Sequence, residues 1–163
     1  MTVTPFTPIR IGPVEMASRL AMAPVKTALG EPDGLACSRH VAYYRRRAEG
    51  GAGLIIVEPL YVDPLGREHP RQLTAHHDGA IAGLRRIVEA IQDSGSLAFA
   101  HLNHAGRAAN PMAIGGSPEA PSAVTCPTSG ATPEEMSLAR IGVLVEAYGN
   151  AAGRARAAGF DGI

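Results

Sequence analysis

The run Leu54-Ile55-Ile56-Val57 carries no polar residue to turn toward water, and three of its four side chains are β-branched. A strand with polar and apolar alternation can lie with one face in solvent. This one needs cover on both faces, as the strands of parallel sheets have. Gly50, Gly51 and Gly53 precede it, but a phosphate-cradling glycine turn has to follow a strand and open a helix. These glycines therefore read as the end of a helix and the turn into the strand.

Three further apolar segments read as strands, giving residues 20–24, 53–59, 96–102 and 160–163. Helical periodicity fills the gaps. Val41, Tyr44 and Ala48 share one face of a helix over residues 38–49. Leu84, Ile87, Val88 and Ile91 recur at i, i+3, i+4, i+7 and stop at Asp93-Ser94-Gly95. Ile141, Leu144, Val145, Tyr148, Ala152 and Ala155 form a longer stripe that ends at Gly159. The start of this last helix is open between a capping box at Thr132, Pro133 and Glu135 and a later cap at Ser137. The resulting order, βαβαβαβ, implies a parallel sheet with right-handed crossovers, either doubly wound or a (β/α)8 barrel.

Loop lengths favour the barrel. The segments after strands, residues 25–37, 60–78 and 103–132, are long and rich in Pro, Gly, His and Arg, whereas the returns from helix to strand are short. Barrels keep their functional loops on the carboxyl side of the strands. A complete barrel takes roughly 250 residues and eight strands. The 163 residues here read as one partial domain, 1–163, the N-terminal half of a TIM barrel. A half-barrel exposes two strand edges and an apolar inner face, so a second polypeptide supplying the C-terminal half-barrel is expected as partner.

Fifteen basic and fifteen acidic residues balance, which leaves no positive field for a nucleic-acid partner or an anionic membrane. Two cysteines, Cys37 and Cys126, are too few for a disulfide framework. With no apolar leader and no apolar run of spanning length, the expected location is the cytoplasm. His101 and Asn103 fall on one face of the third strand, with His104 next to them. A metal there needs a third ligand from Cys126, His76, His77 or Asp78 by loop folding, and no metal site is assigned. Ligand contact is the reading preferred for this cluster.

The order of motifs resembles the Old Yellow Enzyme family. The matching strings are Arg19-Leu20-Ala21-Met22-Ala23-Pro24-Val25-Lys26-Thr27, Asp33-Gly34, Tyr43-Tyr44, Arg47-Ala48 and residues 50–58 (GGAGLIIVE). They continue through Val62, Pro64, Gly66-Arg67, His101-Leu102-Asn103-His104-Ala105-Gly106-Arg107, residues 120–123 (APSA), residues 132–136 (TPEEM) and residues 157–163 (AAGFDGI). The resemblance implies FMN as cofactor, NAD(P)H as reductant, and an enone, enoyl or amine substrate. It places Ala23, Pro24, Val25, Lys26 and Thr27 along one face of the flavin, and Pro59 against it. Lys26 stands where the family often has threonine, cysteine or histidine, and a cation there stabilises negative charge on the reduced ring. His101 stands where the family usually has glutamine, and an imidazole cannot copy the paired donor and acceptor of an amide. The family's substrate-polarising His/His or His/Asn pair follows the fourth strand, so no catalytic residue is assigned within this sequence. The expected function is that of an FMN-dependent NAD(P)H oxidoreductase reducing carbonyl-activated alkenes, as one half of a split barrel. The alternative is a non-catalytic scaffold or regulatory half-barrel subunit with relaxed flavin binding.

Overall fold

A computed structural model describes residues 2–163; Met1 lies outside them. The chain begins with an antiparallel hairpin, β1 (Ile9–Ile11) and β2 (Val14–Met16), turned at Gly12 with φ +55°. Strands of three residues each are too short to leave a periodicity in the sequence, and the hairpin adds to the elements expected from it. It leads to Ser18, whose hydroxyl donates to the Gly51 carbonyl at 3.2 Å, at the amino end of the sheet.

The sheet is β3 (Ala21–Met22), β4 (Leu54–Tyr61) and β5 (Leu97–Asn103), all parallel and adjacent in sequence order. A doubly wound sheet reverses direction at a switch point; this one does not. The segment at residues 160–163, expected as a fourth strand, forms a single bridge from Gly162 to Phe99. Asp161 N–H donates to Ala98 C=O at 2.8 Å, and Ala100 N–H to Gly162 C=O at 2.9 Å. The fourth position is thus next to the third, as in a barrel, but too short for a ladder. The first strand is shorter than expected as well, because the chain leaves the sheet after Met22, two residues before Pro24.

Three helices cover one face: α1 (Ser38–Ala48), α2 (Ile81–Gln92) and, after a four-residue α3 (Pro111–Ile114) that takes no part in the cover, the long α4 (Leu138–Ala158). Ser137 is the cap of α4, accepting from Arg140 N–H at 3.1 Å. The earlier box at Thr132 does not form. Thr132 pairs its hydroxyl with Thr125 at 2.9 Å, and the following residues make a short parallel bridge between β6 (Glu119–Ala120) and β7 (Glu134–Glu135).

The core lies between sheet and helices. Ile55, Val57, Leu60 and Val62 from β4 and its exit, with Ala98 and Ala100 from β5, meet Tyr44, Leu84, Ile87, Val88, Ile91, Ala151 and Ala155. Alanines on β5 make room for α2 and α4 to approach. The other face of the sheet, carrying Ile56, Leu97, Phe99 and His101, is only half-buried. Between Ile56 and Pro59 the register shifts, leaving one extra residue on β4. Such a bulge re-aims side chains, and here it lets Glu58 face α1 while Pro59 stays opposite His101.

The long excursion after β5 is fastened by one arginine. Arg140, in the first turn of α4, holds Asp63 at 2.9 Å and grips Glu119 through both Nε, at 2.8 and 3.0 Å, and Nη2. The His104 ring lies in the same cluster, its Nε2 3.7 Å from Glu119, packed where a Cβ on Gly66 would intrude. Burial opposes charge on Asp63, but the Arg140 guanidinium and the Leu65 amide outweigh it and hold the carboxyl below its ordinary value. Burial is also the main reason His104 is held below its ordinary value. No helix of the described residues is long and apolar enough to cross a membrane.

Two outcomes follow. Gly53→Ala places a Cβ 2.4 Å from the Ser18 carbonyl oxygen, which is backbone and cannot move aside; a loss of about 1–3 kcal/mol is expected in urea unfolding. Arg140→Gln should destabilise most at neutral pH. With its folded value lowered, Asp63 contributes stability that is present above the unfolded carboxyl pKa of about 3.9 and lost as pH falls toward the folded value. The gap in urea midpoint between wild type and R140Q should therefore narrow on acidification below about pH 4. A gap independent of pH removes Asp63 from the account.

Candidate functional site

Of the expected residues, two meet at the carboxyl ends of β4 and β5. Pro59 and His101 are direct cross-strand partners. Pro59 is fully buried, and its carbonyl accepts from the Gln72 side chain at 3.2 Å. Gln72 in turn accepts from the Glu68 amide at 2.7 Å, so the loop after β4 is braced against the strand end. His101 is half-buried, yet its Nδ1 is enclosed and has no hydrogen-bond partner. A buried ring nitrogen without a partner is costly, and this one lies on the face of β5 turned away from the helices.

Residues 23–27 leave β3 at the same end. Ala23 and Val25 are exposed, with Val25 53% accessible, and Pro24 is half-buried. Lys26 is half-exposed and forms an ion pair with Glu68. The cation expected at the flavin edge thus arrives with its own counter-charge. Thr27 is anchored elsewhere: its hydroxyl donates to Glu58 Oε1 at 2.6 Å and accepts from the Leu29 amide at 3.2 Å. It fixes the loop, and its neighbour Ala28 adopts φ +55°, a conformation a side chain seldom takes.

Glu58, almost fully buried, is the residue sequence reasoning passed over. Besides Thr27 it meets His40 of α1, with Nε2 3.4 Å from Oε1, and its amide donates to the Tyr44 hydroxyl at 2.8 Å. Burial opposes charging of the His40 ring, but Glu58 and Cys37 outweigh it and raise its pKa. Burial and the nearby Glu58 charge push the Tyr44 hydroxyl far up, so it stays protonated. The signal was present, since an acidic residue ending an apolar strand has to be paired inside.

The ligand cluster considered from sequence takes a different form. His76, His77, Asp78 and Cys126 do not join His101. Among the described residues, Asp63, His104 and Glu119 converge within 4.8 Å. The Arg140 guanidinium already bonds both carboxylates there, and so takes the place a cation would occupy.

Comparison with known proteins gives this geometry a context. Residues 5–163 match the NADH:flavin oxidoreductase / NADH oxidase family. NADH:fumarate oxidoreductase of Klebsiella pneumoniae (strain 342) is 42% identical over 151 residues, 91% of this chain and 16% of that protein. NADPH dehydrogenase of Bacillus subtilis (strain 168) is 38% identical over 157 residues, 96% of this chain and 46% of that protein. Morphinone reductase in complex with tetrahydroNAD superposes with a TM-score of 0.91 at 30% identity, over 98% of this chain and 48% of that one. The chain spans less than half the length of each of these relatives. Its consecutive parallel strands, with helices on one face, correspond to about half of an Old Yellow Enzyme TIM barrel. The chain belongs to the NADH:flavin oxidoreductase / NADH oxidase family, whose cofactor is FMN and whose reductant is NADH or NADPH.

Proposed function

We propose that this chain is the N-terminal half of an FMN-dependent NAD(P)H oxidoreductase that reduces carbonyl-activated alkenes, completed by a C-terminal half-barrel on a second polypeptide. The observation that carries the reading is the open side of the sheet. β3 bonds to β4 along one edge, and no other strand among the described residues pairs with its second edge. The inner face carries Ile56, Phe99 and His101 half-buried, and beside it Leu20, Val25 and Ile163 are 41%, 53% and 62% exposed. Unpaired edges and apolar surface of this kind are closed by more polypeptide.

The residues at the carboxyl ends of the strands suit FMN. The enclosed Nδ1 of His101 lacks a partner and can serve the polar edge of a flavin ring, by donating or accepting according to its tautomer. Pro59, opposite it, is buried and backs the His101 position with a rigid apolar ring. Ala23, Pro24 and Val25 present backbone and small side chains along the same rim. Lys26, partly neutralised by Glu68, contributes a weaker positive field than a free lysine. When bound, FMN supplies the hydride chemistry between NAD(P)H and substrate. The chain's own contribution is to hold the ring at this rim and to set its electrostatic surroundings. The groups that polarise the substrate are assigned to the second polypeptide.

The test is reconstitution with a polypeptide supplying the C-terminal half. The complex should be yellow, should bleach under NADH or NADPH, and should regain colour with an enone. His101→Ala should weaken flavin retention about tenfold, as expected for one hydrogen bond from a buried group. Glu68→Gln frees the Lys26 cation and should raise the flavin midpoint potential, the direction a bare positive charge produces. A colourless, stable complex, or flavin retention indifferent to His101, refutes the assignment and leaves the scaffold role.

A further inference from the structure

Between the end of β3 at Met22 and Leu29, the main chain is tied down at one residue. The Thr27 hydroxyl donates to Glu58 Oε1 at 2.6 Å, and the Thr27 amide donates to Glu58 Oε2 at 3.4 Å. The same hydroxyl accepts from the Leu29 amide at 3.2 Å, which closes a turn across Ala28, whose φ of +55° a Cβ disfavours. Among the described residues, no backbone group of residues 23–26 bonds beyond the sheet, and Lys26 reaches Glu68 by its side chain alone. Glu58 is itself immobilised: it is 1% exposed, its amide donates to the Tyr44 hydroxyl at 2.8 Å, and His40 Nε2 stands 3.4 Å from Oε1. The Cys37 amide takes the lone pair of His40 Nδ1 at 3.2 Å, so the neutral ring carries its proton on Nε2, facing the carboxylate. Three N–H or O–H groups thus face two oxygens that carry no hydrogen, a set that a carboxylate satisfies and an amide does not. A strained residue beside such a set persists because its surroundings over-determine it.

We propose that Glu58, acting through Thr27, is a positioning residue for the flavin: it fixes the course of residues 23–26 along the rim before the ring binds, a role that rests on the flavin reading of that rim. A segment ordered in advance loses little chain freedom on binding, so more of the contact energy appears as affinity. Glu58 faces α1, and its hold on the rim runs through the Thr27 hydroxyl and amide. Lys26 is thereby brought to one place, with the main chain fixed on its carboxyl side and its ammonium paired with Glu68. Without the hydroxyl, the turn loses both its donor to Glu58 and its acceptor for Leu29. Ala28 is then free to return to negative φ, and residues 23–26 lose their tie to the strand behind them.

Lys26 is the only lysine in the chain, so a lysine-specific protease has one bond to cut, Lys26–Thr27, at the tie itself. Cleavage is followed on the full chain under native conditions. Thr27→Val keeps the shape and removes the hydroxyl, and should be cut about tenfold faster than wild type, the weight of one hydrogen bond to a charged group. Thr27→Ser keeps the hydroxyl and should stay within about twofold of wild type. Glu58→Gln should open the same bond, and T27V added to it should change nothing further; if E58Q does not fold, the two threonine variants decide. In the complex reconstituted with a C-terminal half, T27V should hold FMN about tenfold more weakly and T27S as tightly as wild type. Saturating FMN should return T27V cleavage to the wild-type range, because ring and tie hold the same segment. Equal cleavage of wild type and T27V overturns the tie. A T27V complex that takes up FMN as well as a competent wild type, or binds it without protecting Lys26, overturns the positioning role alone. A wild-type complex that takes up no FMN refutes the flavin reading, and the role with it.

Discussion

A carboxylate buried at the end of a central strand has to be satisfied where it sits, and much of the local architecture answers to Glu58. Its oxygens hold Thr27 and approach His40, while its amide is held by Tyr44. These partners come from the loop after β3 and from two turns of α1, so one acidic side chain fixes loop, helix and strand relative to one another. The bulge before Pro59 turns Glu58 toward α1 instead of the barrel interior. Each contact here is ordinary. Together they make the loop that carries residues 23–27 a consequence of strand packing and not a free surface segment.

The two faces of the sheet are in different states. Toward the helices the core is closed, with Ile55, Val57, Leu60, Leu84, Ile87 and Ile91 essentially inaccessible. Toward the barrel interior, Ile56, Phe99 and His101 remain half-buried. Phe99 is partly sheltered by Gly162, where an added Cβ would come within 2.5 Å of the ring. The apolar contacts that hold sheet and helices together are therefore concentrated on the helix side, while the interior face keeps apolar surface in reach of solvent.

Most of the architecture was legible because the periodicities are strong: the unbroken run Leu54–Val57, the i, i+3, i+4, i+7 pattern of α2, and the stripe ending at Gly159 each led to a real element. What escaped was decided by long-range contacts. Residues 160–163 look like a strand by composition, but a ladder needs a partner across more than one residue, and only Gly162 bridges. The capping box at Thr132 was chemically sound, and it lost because Glu134 and Glu135 pair with Glu119 and Ala120. The site divides in the same way. Strand alternation was enough to place His101 opposite the helices, and resemblance put Pro59 at the same rim. Neither could show that Lys26 is countered by Glu68, 42 residues away, or that Thr27 points to Glu58.

The two arrangements of charge at the carboxyl ends of the strands also explain why metal chemistry is a poor fit to this half. Asp63, Glu119 and His104 have the donor types a divalent ion takes, at suitable mutual distances. Arg140 meets both carboxylates in a planar, multiply bonded contact that a guanidinium makes well and that costs no vacancy in the coordination of anything else. An ion entering this cluster has to displace a cation fixed by the first turn of α4, and with it the anchor of the excursion after β5. The same acidic groups that invite a metal by composition are committed, through Arg140, to holding the excursion after β5 against the sheet.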